Sequence, residues 1–165
     1  MPFLQFMTVI MVNCSSNETE DLGNIPGDGW RLGSTNYTTT ITQRVATGNI
    51  ENSITALDLS GGASNLHSAY VIFNEGTGIA AGTYKIVQEI TGELPKAGEI
   101  VIGAGTGYNN STGVNESSYY AVPGQNVNAT VTITGGKAKI VIPQINVAKW
   151  PFSSTSEVTT LQEQL

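Results

Sequence analysis

Polar and apolar residues alternate most strictly between Asn126 and Val147, NVNATVTITGGKAKIVIPQINV. Val127, Ala129, Val131 and Ile133 fall on one side, and Asn126, Asn128, Thr130, Thr132 and Thr134 on the other. That period of two is the signature of a strand with one buried face. Gly135-Gly136 follows and accepts positive φ at both positions, as a two-residue primed hairpin turn requires. Folding there sets Thr134 opposite Lys137, Ile133 opposite Ala138, Val131 opposite Ile140 and Ala129 opposite Ile142. A one-residue slip would bury Lys137 and Lys139, so the register is well specified. Pro143 is expected where the second strand leaves its ladder or lies on an edge, and Trp150-Pro151 closes it.

The rest of the chain reads the same way. Gly29 to Gly48 predicts a short strand, a turn at Gly33-Ser34, and one longer strand with Tyr37, Thr39, Ile41 and Val45 on a shared face. Asn49 to Ser60 alternates until Leu57 and Leu59 switch phase, which predicts a bulge. Ala69 to Phe73 is a continuous apolar run and fits a central strand covered on both faces. Ala81 to Val87 and Ala97 to Ile102 read as successive antiparallel strands. Gly103 to Ser117 reads as the longest irregular loop, with a strand returning at Tyr119 to Val122. Ser153 to Leu165 is either a last strand or a frayed tail. The sum is an all-β domain, an antiparallel β-sandwich or small barrel of about nine or ten short strands.

Composition agrees with one such domain. The chain has 165 residues, only 12% of them charged, and many Gly, Ser, Thr and Asn. Its net charge is −6. The seven Lys and Arg are scattered singly, so no basic stripe for nucleic acid exists. No stretch approaches the ~20 apolar residues that span a bilayer.

Residues 1–13, MPFLQFMTVIMVN, are apolar and uncharged, and they end at the single cysteine, Cys14. Their length suits a signal-peptide hydrophobic region. Residues 14–29 then form an acidic, breaker-rich tether, and residues 30–165 the folded domain. Met11-Val12-Asn13-Cys14 resembles the lipobox of bacterial lipoproteins, although Asn13 stands where a small residue is usual and no Lys or Arg precedes the apolar run. With the acidic Asn17 to Asp21 segment, GWRLGSTNYTTT and AGTYKIV, the chain resembles small surface lipoproteins of Bacteroidota-type bacteria. The resemblance implies a lipidated Cys14, an outer-membrane or cell-surface location and an all-β fold. It transfers no catalytic residue.

Candidate chemistry is thin. The only imidazole is His67, with Asp58 the nearest carboxylate in sequence, and no Gly-x-Ser-x-Gly elbow accompanies them. Asp58, Glu75, Glu89, Glu93 and Glu99 are scattered and suggest no glycosidase pair. The glycines from Gly103 to Gly107 lack the following helix that a dinucleotide loop needs. Asp28, or Glu116 with Asn109, Asn110 and Asn115, offers oxygen ligands, but no EF-hand pattern is present, so no metal and no cofactor are expected. Aromatics with neighbouring amides suit a ligand rim: Tyr108, Asn109, Asn110, Tyr119, Tyr120 and Trp30 are the candidate set. Asn-x-Ser/Thr sequons stand at Asn17, Asn36, Asn109, Asn110, Asn115 and Asn128.

The sequence therefore predicts a non-catalytic domain anchored in the envelope through lipid on Cys14, with a binding or structural role and a glycan or envelope protein as partner. Two alternatives stand beside it. One is a carbohydrate-binding module. The other is a subunit of an extracellular filament in which Phe3 to Val12 completes a neighbour's sheet by strand addition.

Overall fold

The computed structural model describes residues 28–47, 50–62, 65–88, 93–109, 111–153 and 156–165. Cys14, the segments on either side of it, and Asn110 lie outside the described residues. Among those described there are eleven strands and no helix. They are β1 (Gly29–Leu32), β2 (Thr35–Thr38), β3 (Ile41–Thr47), β4 (Ile50–Asp58), β5 (Leu66–Phe73), β6 (Gly82–Val87), β7 (Glu99–Tyr108), β8 (Ser117–Ala121), β9 (Asn128–Thr134), β10 (Lys137–Lys149) and β11 (Val158–Gln164).

The hairpin of β9 and β10 forms in the expected register, with Thr134 opposite Lys137, Ile133 opposite Ala138 and Val131 opposite Ile140. Gly135 and Gly136 take φ of 58° and 75°, the two positive values that the turn needs. Val131, Ile140 and Ile142 are buried while Lys137 and Lys139 stay exposed. Each fully buried Val or Ile contributes roughly 1.5–3 kcal/mol. The β9–β10 ladder ends at Val141–Thr130, short of the expected Ala129–Ile142 pair. β10 bulges between Ile142 and Ile145, around Pro143, and runs on beside β11. Proline has no N–H to give a ladder, and the bulge absorbs that.

One mixed sheet holds all the strands in the order β2-β1-β11-β10-β9-β6-β7-β5-β4-β3. β8 bridges β10 and β7 a second time, through Val147–Lys149 on one side and Gly103–Thr106 on the other. β2 and β3 stand at opposite ends of the order, yet only Thr39 and Thr40 separate them in the chain. The sheet must therefore curl until its ends meet, as in a sandwich or small barrel. The core is one cluster with Trp30, Phe73, Ile100, Ile102 and Leu161 fully buried. Phe73 and Tyr84 meet edge to face at 5.2 Å.

Several expectations are corrected. Tyr37 and Ile41 belong to different strands, because the chain turns a corner between them. The Thr39 N–H donates to the Asp28 carbonyl at 3.1 Å and the Thr40 N–H to the Leu57 carbonyl at 2.8 Å, so neighbouring amides bind different parts of the sheet. β6 and β7 are adjacent but parallel. The residues from Gln88 to Gly98 are enough for a crossover rather than a hairpin. β5 is central, but it alternates: Ala69, Val71 and Phe73 are buried, whereas Tyr70 and Ile72 are half-exposed. The segment from Ser153 ends in β11, which lies between β1 and β10.

The largest correction concerns Gly103 to Tyr108, which is strand rather than loop. A Cβ at Gly103 would come within 2.5 Å of the Tyr70 hydroxyl oxygen, and one at Gly105 within 2.5 Å of Asn115 Nδ2. Side chains from adjacent segments thus occupy the places that the glycines leave empty, which is how glycine is accommodated in a sheet. The loop that remains, 109–116, is closed by an Asn109–Val114 bridge.

Candidate functional site

β8 alternates Ser117, Tyr119 and Ala121 inward with Ser118 and Tyr120 outward. Tyr120 lies opposite Gly103, and Gly103 lies opposite Tyr70 on β5, so two tyrosines flank a glycine in one row across three strands. Their rings meet edge to face at 6.1 Å. Just past β10, the Trp150 N–H donates to the Ser118 carbonyl at 2.8 Å, which brings the indole to Tyr120 at 6.0 Å. The peptide bond between Trp150 and Pro151 is cis. Phe152 completes the group, 5.1 Å from Trp150 and 6.1 Å from Tyr120. Ser156 Oγ donates to the Pro151 carbonyl at 3.1 Å and holds this turn in place.

The result is an aromatic platform on the outer face of the sheet. Trp150 is 46% exposed, and Tyr70, Tyr120 and Phe152 are half-buried. What sets this cluster apart from the core aromatics is that its largest ring stays partly in water.

The predicted ligand set is split by the fold. Trp30 is 0% exposed and stacks on Tyr37 at 5.2 Å, and Tyr119 is buried inward on β8. Neither offers a surface, so both leave the candidate set for a packing reason. Tyr108 and Asn109 sit at the end of β7, where Asn109 Oδ1 accepts the Ser111 N–H at 2.8 Å. A polar cleft of about 490 Å³ opens there, lined by Asn65, Asn109, Thr112, Asn115 and Glu116 among others. Asn110 lies outside the described residues. Only Tyr120 belongs to the platform. Trp150 and Phe152 escaped the sequence reading, although two aromatics around a proline at the end of a strand were the available signal.

The lone imidazole sits within the fold beside a carboxylate. His67 lies directly opposite Asp58 on the inner face, with the Tyr37 ring 4.8 Å away. Asp58 Oδ2 accepts the Thr38 N–H at 3.1 Å and Oδ1 the Ser60 N–H at 2.8 Å. Burial opposes ionisation of Asp58, but donors from Ser60 and Thr38 and the nearby His67 outweigh it and lower its pKa. This carboxylate clips the β2–β3 corner to β4. Burial, with Tyr119 and Asp58 nearby, raises the Tyr37 phenol. Among the described residues no group of three or more His, Cys, Asp or Glu could hold a metal ion. Nor is any helix long and apolar enough to cross a membrane.

Among the described residues Glu163 is the one strongly perturbed group. It is 1% exposed, lies between Trp30 and Ile142 in the strand register, and burial pushes its pKa well above the ordinary carboxyl value. Neither carboxyl oxygen, nor the facing Trp30 Nε1, has a hydrogen-bond partner among the described residues. The chain matches no protein-family model, no curated protein and no solved structure.

Proposed function

We propose that this chain is a non-catalytic, lipid-anchored domain of the cell envelope that contacts a carbohydrate through its aromatic platform. The anchor reading rests on Cys14 directly after an apolar segment and before an acidic tether. The binding reading rests on one observation, the outward cluster of Tyr120, Trp150 and Phe152 with Trp150 46% exposed. Aromatic faces carry partial negative charge, so they attract the partly positive C–H groups on the flat face of a sugar ring. The same rings are half fixed by their neighbours and lose little freedom on binding. The direct chemistry of hydrolysis is not invoked, since His67 and Asp58 face inward and Asp58 is committed to backbone donors.

Two measurements test this. Intact mass of the protein purified from its native envelope should show a chain starting at Cys14 with added acyl mass, absent from Cys14→Ala. An unmodified chain retaining Met1 would sink the anchor reading and favour the filament alternative. For the platform, affinity electrophoresis through neutral polysaccharides should retard the protein on at least one of them, and Trp150→Ala should abolish the retardation at unchanged melting temperature. Retardation that survives in Trp150→Ala and Tyr120→Ala refutes the platform.

A further inference from the structure

The inward row of β11 carries Leu161 and then, where a second apolar residue would fit, Glu163. Across the ladders stand Trp30 of β1 and Ile142 of β10, both fully buried. A carboxyl in such a place ordinarily has a donor. Here neither of its oxygens has one, and the Trp30 indole N–H in the same register pair has no acceptor. Tyr37 stacks on Trp30, with His67, Asp58 and Tyr119 around it. Burial is the single influence on the ionisation of Glu163, so none of these groups acts on it. Nor do the cations of the adjoining strands. Arg31 pairs with Gln162 and donates to Asn36 Oδ1 at 2.9 Å, Lys137 and Lys139 are exposed, and Lys149 lies opposite Tyr119.

The two sides of Glu163 are not held equally. β10 meets β11 from Val141 to Ala148, and beyond that ladder Leu165 and Ile140 exchange N–H to carbonyl bonds of 2.6 and 2.9 Å. β1 meets β11 over Gly29 to Leu32, with one further bond from the Gly33 N–H to the Thr160 carbonyl at 2.8 Å. β2 pairs with β1 along the same short length, through a turn in which Gly33 takes a φ of 58°. The far end of this hairpin is fixed at the corner, where the Thr38 N–H donates to Asp58 and the Thr40 N–H to the Leu57 carbonyl. A short hairpin tied at one end and seated beside an unsatisfied carboxyl is the kind of unit that opens by itself.

We infer that β1 and β2 form a latch, closed on β11 while the Glu163 carboxyl is neutral and loosened when it ionises. Swinging away brings water to the carboxylate and to the Trp30 N–H together, so one movement relieves both unsatisfied groups. The corner at Thr38 to Thr40 acts as the hinge. The closed form is favoured at acid pH, because a carboxyl that ionises more readily when exposed stabilises the closed form below its ordinary value and ceases to do so as pH rises. Opening turns Trp30 and Leu32 to water and removes β1 from its place beside β11.

Hydrogen exchange of the full chain tests this, read by mass spectrometry on peptides covering 29–38 and 129–142 from pH 5 to pH 8 and corrected for the intrinsic rates. The amides of 29–38 are expected to be less protected than those of 129–142 throughout, with protection falling by up to ~10-fold per pH unit. Glu163→Gln and Glu163→Leu should each remove that slope, and two variants are used so that failure of one to fold leaves the other. Glu157→Gln, at an exposed glutamate just before β11, should keep the slope of the parent. Equal protection of the two segments would mean that the hairpin opens with the whole domain and would overturn the latch. So would protection of 29–38 that is independent of pH in the parent, or a slope that persists without the Glu163 carboxyl.

Discussion

Substituting Glu163 by glutamine separates the proton from the shape of the side chain. In the fold this carboxyl is 1% exposed, packed between Trp30 and Ile142, and its pKa is well above the ordinary value of 4.5. An unpaired buried carboxylate is so poorly solvated that the group keeps its proton instead. The unfolded chain has no such environment and releases the proton near the ordinary value. Below that value both states are protonated and the contribution of Glu163 to stability is fully present. As pH rises toward the folded-state pKa, the unfolded state is progressively favoured.

Each pH unit over which only the unfolded chain is ionised removes ~1.4 kcal/mol. The loss therefore begins as pH rises through the ordinary carboxyl value and continues until the folded-state pKa is reached. Glutamine has the same shape and no proton to lose, so Glu163→Gln should match the parent near pH 4 and gain on it steadily as pH rises above the ordinary carboxyl value. Urea titrations across pH at constant ionic strength measure it. Parallel stability profiles for parent and variant between pH 5 and 8 would refute the reasoning, because they would mean that the carboxyl ionises alike in both states.

Other positions give cleaner readings of packing. Gly103→Ala should destabilise by about 1–3 kcal/mol in urea denaturation, since its Cβ would fall 2.5 Å from the Tyr70 hydroxyl and 2.9 Å from the Tyr119 carbonyl oxygen. Ile140→Ala, at a fully buried site of the central hairpin, should lower stability by about 2–5 kcal/mol in the same assay. Asp58→Ala strands the N–H groups of Thr38 and Ser60 and should lose roughly 1–3 kcal/mol. Because the pKa of Asp58 is lowered in the fold, its contribution is present above the unfolded value and is lost as pH falls, so Asp58→Ala should flatten the acid limb of the stability profile.

What was legible in the chain was local. The alternation from Asn126 to Ile142 and the Gly135-Gly136 pair specify a hairpin without help from elsewhere, and its register came out as the lysines demand. The corner at Thr39 and Thr40 was not legible, because the continuous run TNYTTTITQ carries no breaker. What divides it is the long-range capture of its amides by Asp58, Asp28 and Leu57. Likewise Gly103 and Gly105 read as loop on composition, and only the phenol of Tyr70, distant in sequence, and the amide of Asn115, across the next turn, make a strand there physically sensible.

The same distinction governs the candidate sites. A rim residue and a core residue of the same type look alike in sequence, since tyrosine and tryptophan serve both roles. Trp30 and Trp150 show the difference: each stands beside a strand terminus, yet one is 0% and the other 46% exposed. Parity on the sheet decides between them. Trp30 shares the inward row of Glu163 and Ile142, whereas Trp150 is tied to Ser118, an outward position of β8. That parity is set by pairing with β11 and β8, strands more than thirty residues away along the chain in one case or the other. The cleft lined by Arg44 of β3 and by Lys137 and Lys139 of β10 follows the same logic. Arg44 and Lys137 are far apart in sequence, and only the curling of the sheet brings their charges to one cleft. Function in this chain is therefore to be sought where strands distant in sequence meet on the outer surface.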